Sequence, residues 1–421
     1  MRGFMSNPDP IARLKEWRQA YLASNRATLN WMLSRPALQG VFINTKMNPI
    51  TGKDFTVADG WRGPEIILGW IQGRGLESIV THAAFFESED KDLSMRLDDA
   101  GRVLFKALAD MFLKNNKGYF AYDHTLRPVY PDAQGVIHAQ NEAKEFSTFS
   151  DVFIVKGLIA ASCRYDRSKL QAFLSAWHKI IEDIEAGRFI INERQMLDLQ
   201  ALHAQSEDYG PRMILLGGAA LLQDLGLEAE AGFGSRFMQH ILTHHLKNSS
   251  VVSASVLVDA PTGEICNPGH ALEFSGFGLD YLHSSHDART AILIDLIKNH
   301  FRFGFDAPGI VSKRHIHSGD VVSPYFPWWS LPETIRAAAL AFERTTDQEI
   351  WEIWEKAHEA FFTHYWQPDW SIATQTRTKD GPVDFVPSTS DLDPGYHTGL
   401  SFYTAIKAID RICVAYNKQT K

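Results

Sequence analysis

Apolar residues recur at i, i+3 and i+4 along most of the 421-residue chain, which is the period of an amphipathic helix. Ile350, Trp354, Ala357 and Phe361 form one such stripe, and Thr346 with Glu349 ahead of it reads as a capping box. The same spacing predicts twelve helices, over roughly 11–34, 61–82, 94–114, 146–165, 168–186, 207–225, 228–247, 269–283, 286–303, 330–344, 347–365 and 397–416. Short runs of strand character lie between them. Tyr119-Phe120-Ala121-Tyr122 before Leu126-Arg127-Pro128-Val129-Tyr130 reads as a hairpin. Residues 251–258 and 371–376 are similar, with Lys379-Asp380-Gly381 as a turn.

The connections between these helices alternate in length. Helices two and three, four and five, six and seven, eight and nine, and ten and eleven are joined by short links, which make antiparallel neighbours. The remaining links run to about 15 to 30 residues. In an up-down ring of twelve helices all the long links emerge at one end. This predicts an all-α fold, an (α/α)6 barrel whose long loops and short β-hairpins build a site at one mouth. No Gly/Ser-rich linker interrupts the chain, so residues 1–421 are expected to form a single domain.

Composition narrows the function classes. The chain is 45% hydrophobic, ample for a large core, and its 26 Phe, 12 Tyr and 11 Trp make it rich in aromatic residues. A net charge of −8 argues against a general nucleic-acid or anionic-membrane binder. No apolar run reaches the length of a membrane span, and residues 1–10 hold no apolar leader core, so neither a span nor a secretory signal is expected. Cys163, Cys266 and Cys413 are odd in number and far apart. They fit neither a disulfide framework nor a zinc spacing, which predicts a reducing, cytoplasmic compartment.

The segment with most chemical content is Asn267-Pro268-Gly269-His270-Ala271-Leu272-Glu273. Asn267 suits an N-cap and Pro268 a first helical position. That puts His270 in the first turn with Glu273 on the same face. The positive helix end disfavours an imidazolium, so His270 is expected to be a neutral base. His397, in Asp393-Pro394-Gly395-Tyr396-His397-Thr398, opens the last helix from the same predicted mouth. Taken singly, His270 is as readily structural and His397 more often structural than catalytic; the predicted ring sets them across one funnel. Arg74, in Trp70-Ile71-Gln72-Gly73-Arg74, sits on an otherwise apolar helix and needs a partner there. That partner is either a structural carboxylate or a substrate oxygen that becomes negative during reaction. Trp328 and Trp329 follow the long 306–327 loop, with Glu333 one turn on. By default a Trp pair is core and Glu333 a helix cap; at a mouth, aromatic faces stack on sugar rings and a carboxylate binds hydroxyls.

Other motifs are weaker. His203, His315 and His317 fall in mouth loops, and no zinc-like spacing surrounds the last two. His240 and His244 are one helical turn apart, but Ile241 stands where a metalloprotease motif needs Glu. Neither a phosphate-cradling Gly-Lys loop nor a Gly-x-Ser-x-Gly elbow is present. Glu142, Glu145, Asp151 and Glu273 keep open a glycoside hydrolase, which uses two opposed carboxylates.

Together, the Trp70–Arg74, Asn267–Glu273, Trp328-Trp329…Glu333 and Tyr396-His397 motifs resemble, in order, those of the N-acylglucosamine 2-epimerase family. That family includes mannose and sulfoquinovose isomerases and cellobiose 2-epimerases. The resemblance runs through most of the chain. It implies an (α/α)6 barrel and proton transfer at C2 of an open-chain reducing sugar. It also implies His270 and His397 as acid and base, and Arg74 as stabiliser of the enediolate oxygen. Glu273 would orient His270 or assist ring opening, while Asn267, Trp328, Trp329 and Glu333 would line the sugar site. No metal or other cofactor is implied, and a homodimer is the assembly common in the family. Members acting on mannose or cellobiose carry a further histidine on the sixth helix. The matching stretch here, Tyr209-Gly210-Pro211-Arg212-Met213-Ile214-Leu215, has none, as in the N-acylglucosamine branch. The lead-in Ser390-Asp391-Leu392-Asp393-Pro394-Gly395 departs from the family's Gly/Lys-rich pattern. The leading expectation is therefore a 2-epimerase interconverting N-acylglucosamine and N-acylmannosamine. An aldose–ketose isomerase using the same histidines is the alternative, and a non-catalytic binding protein a further one.

Overall fold

The computed structural model describes residues 10–140, 145–283, 287–385 and 390–419. In chain order the helices are α1 (Pro10–Ser34), α2 (Gly69–Glu89), α3 (Lys91–Asn115), α4 (Phe149–Tyr165), α5 (Leu170–Glu185), α6 (Leu199–Ala204), α7 (Gly210–Asp224), α8 (Phe233–His244), α9 (Pro268–Tyr281), α10 (Ala288–Gly304), α11 (Ser330–Thr345), α12 (Gln348–His364) and α13 (Ser401–Gln419). A π-helical turn, Tyr396–Leu400, leads into α13. Each predicted helical stretch contains one long helix. The addition is α6, whose six residues are too few to display a period.

Two local expectations are corrected. The 61–82 stretch becomes helical only at Gly69, after a 3-10 turn (Val57–Arg62) and a short strand (Ile67–Leu68). Gly60 at φ 61° and Pro64 stop a helix from starting earlier. Thr346 is not the cap of α12. It sits at φ 52° and closes α11, while Asp347 accepts from the backbone N–H groups of Glu349 and Ile350.

The chain folds as two compact units. One holds residues 10–28, Gly234–Val383 and 397–419. Within it α9 packs on α10 and α11, and α11 packs on α12 and α13. Helices α9 and α11 are buried along nearly their whole length, whereas α10 and α12 expose one polar face. The other unit holds Leu29–Phe233 and Asp384–Tyr396. Within it α2 packs on α3 and α4, and α4 on α5. Here α2, α4 and α7 are the buried helices, and α3 and α5 are amphipathic.

Strands are short and placed at helix entries. Ile67–Leu68 runs into α2, Ser147–Thr148 into α4, Ile265–Cys266 towards α9, and Phe326–Pro327 towards α11. Each is hydrogen-bonded to a strand from another loop of its own unit. The first turns of α2, α4, α9 and α11 are thereby fixed. The 121–131 hairpin forms as predicted, with Ala121 opposite Val129. Leu246–Ser249 pairs with Ala254–Leu257, and Thr376–Thr378 with Gly381–Pro382. The three cysteines are free thiols. No helix among the described residues is long and apolar enough to cross a membrane.

Burial also fixes an acid-sensitive element in the first unit. Desolvation pushes His270 and His300 down to about 4 and His358 down to about 3. His300 is held neutral at both nitrogens: Nδ1 donates to Leu296 O at 2.7 Å and Nε2 accepts from Leu257 N at 2.8 Å. On unfolding these imidazoles regain an ordinary affinity for protons. Their stabilising contribution is therefore complete above about pH 6.5 and is lost as pH falls through about 4. The melting temperature is expected to drop steadily between those values in calorimetry; a flat profile would contradict the assignment.

Candidate active site

In the first unit, Ile265–Cys266 delivers the chain to α9, with Cys266 paired opposite Arg314. Asn267 caps the helix as predicted, its side chain accepting from His270 N at 3.2 Å, and Pro268 is its first residue. The start of α9 is pressed against the end of α10, since a Cβ on Gly304 would lie 2.3 Å from Pro268 Cβ. His270 therefore projects from a rigid first turn. Its ring stacks on Trp329 with centroids 5.2 Å apart and planes at 28°. Gly269 permits this approach, because a Cβ there would meet the indole at 2.9 Å. Burial is the main reason His270 sits at about 4. Asp259 opposes the shift, and Lys313 and His397 add to it. The neutral base expected from the helix end is present, with desolvation as its chief cause.

Phe326–Pro327 delivers the chain to α11. Its pairing with Thr376–Thr378 and the Trp328 N to Gln375 O bond of 3.1 Å fix the tryptophan pair. Trp328 is buried, and Trp329 is partly exposed. Glu333, in the first turn of α11, is wholly buried and accepts from His397 Nδ1 through Oε1 at 3.0 Å. Its Oε2 lies 3.0 Å from Arg336 Nη1. Glu273 Oε1 stands 3.8 Å from the same His397 nitrogen. The His397 ring is 5.8 Å from Trp329 and 6.1 Å, edge-on, from Trp328. The structure thus brings His270, Glu273, Trp328, Trp329, Glu333 and His397 together, with both imidazoles against one indole.

The electrostatics of the two histidines differ. With its carboxylates ionised, the group Glu273, Glu333 and Arg336 carries one net negative charge, which a proton on His397 cancels. His270 is instead held neutral. One imidazole is suited to accept a proton while the other is suited to give one. Glu273, Glu333 and His397 also converge closely enough to hold a metal ion. Arg336 already supplies a cation to Glu333, and Nδ1 is engaged in a hydrogen bond, so the arrangement fits a proton better than a metal.

Arg74 belongs to the other unit. Its helix, α2, meets α4 backbone to backbone: a Cβ on Gly73 would lie 2.5 Å from Phe153 C, and one on Gly157 2.5 Å from Gly73 O. The Arg74 guanidinium lies over Phe153 at 4.0 Å, Trp70 at 5.0 Å and Tyr396 at 5.2 Å. Glu77, one turn along, is paired with Lys156 at 2.9 Å, and Lys156 Nζ also donates to Tyr396 Oη at 3.0 Å. Burial pushes the Tyr396 phenol up to about 12. Trp70 is fixed by Glu193, which accepts from its Nε1 at 2.7 Å and from Ser150 Oγ at 2.6 Å.

The hydrolase candidates fare differently. Glu142 lies outside the described residues, Glu145 is exposed, and Asp151 is spent on capping α4 and accepting from Gly118 N. His315 and His317 do face a carboxylate: strand pairing brings Glu264 to 3.0 Å and 4.0 Å from them. His203 ends α6, and the His240 and His244 rings are 4.5 Å apart on α8. Sequence reasoning missed Arg336, Lys156, Glu77 and Glu193. The i, i+3 spacing of Glu333 to Arg336 was a signal; Lys156 and Glu193 meet their partners only through tertiary packing.

No family model matches the chain, and no curated protein matches its sequence. Solved structures do match. Cellobiose 2-epimerase from Spirochaeta thermophila superposes with a TM-score of 0.72 at 12% identity, covering 96% of this chain and 98% of that one. D-mannose isomerase gives 0.68 at 13% identity, covering 96% and 100%. An α-1,2-mannosidase from Trichoderma reesei gives 0.59 at 10% identity, covering 93% of each. The chain therefore has the (α/α)6-barrel fold that these enzymes share.

Proposed function

We propose that this protein is a carbohydrate 2-epimerase that removes and returns a proton at C2 of an open-chain reducing sugar. One observation carries the reading: two imidazoles share the Trp329 ring, one neutral by burial and the other bonded to Glu333. Likeness in fold to a cellobiose 2-epimerase and a mannose isomerase supports it.

The proton α to an aldehyde is weakly acidic, so a base must act together with a group that stabilises the oxyanion. Neutral His270 takes the C2 proton, and electron density moves onto the carbonyl oxygen as an enediolate. His397, with its Nδ1–H held by Glu333, returns a proton to C2 from the other face. In the reverse direction the two exchange roles. Arg74 is assigned to the enediolate oxygen by resemblance, and Glu273 to ring opening or orientation. Trp329 keeps the histidines at a fixed separation, while Asn267 fixes the turn that carries His270.

The leading substrate pair is N-acylglucosamine and N-acylmannosamine, because α7 begins without the histidine of the mannose and cellobiose branches. Product analysis tests this. Incubation with either sugar is expected to yield the 2-epimer, seen by NMR or chromatography. A ketose formed from mannose or glucose would instead assign aldose–ketose isomerisation, in which one histidine moves the proton from C2 to C1. Release of a reducing end from a glycoside would assign hydrolysis and overturn the proposal.

A further inference from the structure

We infer that Arg336 is a positioning residue: it holds Glu333 Oε2 so that Oε1 fixes His397 with Nδ1–H inward, leaving Nε2 as the proton-transferring atom. The inference deepens the proposed reaction and rests on it for its kinetic part. Its geometric part stands on the first unit alone.

The three side chains form a relay. Arg336 Nη1 forms an ion pair with Glu333 Oε2 at 3.0 Å, outside hydrogen-bonding geometry, and Glu333 Oε1 is hydrogen-bonded to His397 Nδ1 at 3.0 Å. All are buried, at 4%, 0% and 6% exposure. Water therefore cannot replace a missing partner, and each group depends on the next. Arg336 is itself held: Phe277 lies 4.8 Å beneath its guanidinium. Among the described residues, the groups facing Glu333 and His397 include Arg336 on α11 and Glu273 and His270 on α9.

Arg336 decides between two arrangements. Glu273 also approaches His397 Nδ1, at 3.8 Å, so without the guanidinium two carboxylates would compete for one imidazole N–H in a water-poor site. One of them would then take up a proton. A protonated Glu333 is a donor, and it favours the His397 tautomer with Nδ1 as acceptor and the proton on Nε2. That tautomer has lost the orientation that the ionised Glu333 imposes. The logic is that of a base oriented by a third group.

The test uses Arg336→Met, Arg336→Lys, Glu333→Gln and the double variant Glu333→Gln/Arg336→Met. Nitrogen-15 NMR of the histidine rings reads the His397 tautomer without any substrate. With His397 deprotonated at alkaline pH, the wild type is expected to show Nδ1–H, Arg336→Met a mixture or the opposite tautomer, and Arg336→Lys the wild-type state. In turnover, Arg336→Met is expected to be about 10- to 100-fold slower, the usual cost of removing an outer-shell partner. The double variant should be no slower than Glu333→Gln, since both break one relay. An unchanged tautomer in Arg336→Met would overturn the inference, as would losses that multiply in the double variant. Should Arg336→Met not fold, Arg336→Gln takes its place in both comparisons. Wild-type protein that turns over no sugar would remove the proposed reaction, yet the NMR result would still judge Arg336.

Discussion

His270→Asn is expected to slow proton transfer at C2 of the substrate sugar by about a thousandfold, within the usual range for loss of a general base. Asparagine retains a planar polar group beside Trp329 and leaves the Asn267 cap intact, because that cap uses the backbone N–H of residue 270. The loss would thus report chemistry rather than folding. The wild-type pH profile carries a second signature. Burial holds His270 down to about 4, so its base form persists well below the ordinary imidazole range. Its acid limb should fall near that value, not near about 6.5. Initial rates across pH check both points. A variant within about threefold of wild type would remove His270 from the reaction.

Gly73→Ala is expected to be strongly destabilising to the second unit. The new Cβ would stand 2.5 Å from Phe153 C and 2.6 Å from Ile154 N and Phe153 O. These are backbone atoms of a buried helix, so α2 and α4 must separate. Overpacking of this kind costs about 1–3 kcal/mol. Phe153 also underlies the Arg74 guanidinium at 4.0 Å, so the guanidinium should shift with it. Gly232→Ala is the control, since its Cβ would meet only Ala229 O, at 4.0 Å. Denaturant midpoints should fall for Gly73→Ala and hold for the control. Equal midpoints would mean that the helix contact is softer than its geometry implies.

The helices were legible because each long one carries a stripe over several turns. The six-residue α6 could not show a stripe. The later start of α2 was written in Gly60 and Pro64, which a hydrophobic pattern through Trp61, Ile66 and Ile67 masks. Thr346 and Asp347 are both plausible caps by composition, and the left-handed turn at Thr346 decides between them. The candidate site was legible at helix starts, where Asn267-Pro268 announces a cap and places His270 within a turn of it. The Glu333 contact to His397 joins residues 64 positions apart and follows from no local pattern. The same holds for Lys156 and Tyr396, 240 positions apart. The sequence suggested Trp328 and Trp329 as a platform for sugar; the coordinates show Trp329 in contact with both imidazoles.

The most direct test follows the C2 proton itself. Purified protein in D2O is incubated with N-acetylglucosamine, N-acetylmannosamine, mannose, glucose and fructose, and the sugar protons are followed by NMR. The account predicts that the C2–H signal of at least one aldose is lost to deuterium as its 2-epimer appears, without added metal. Retention of C2–H in a sugar that is nevertheless converted would contradict proton transfer through solvent-exchanging histidines.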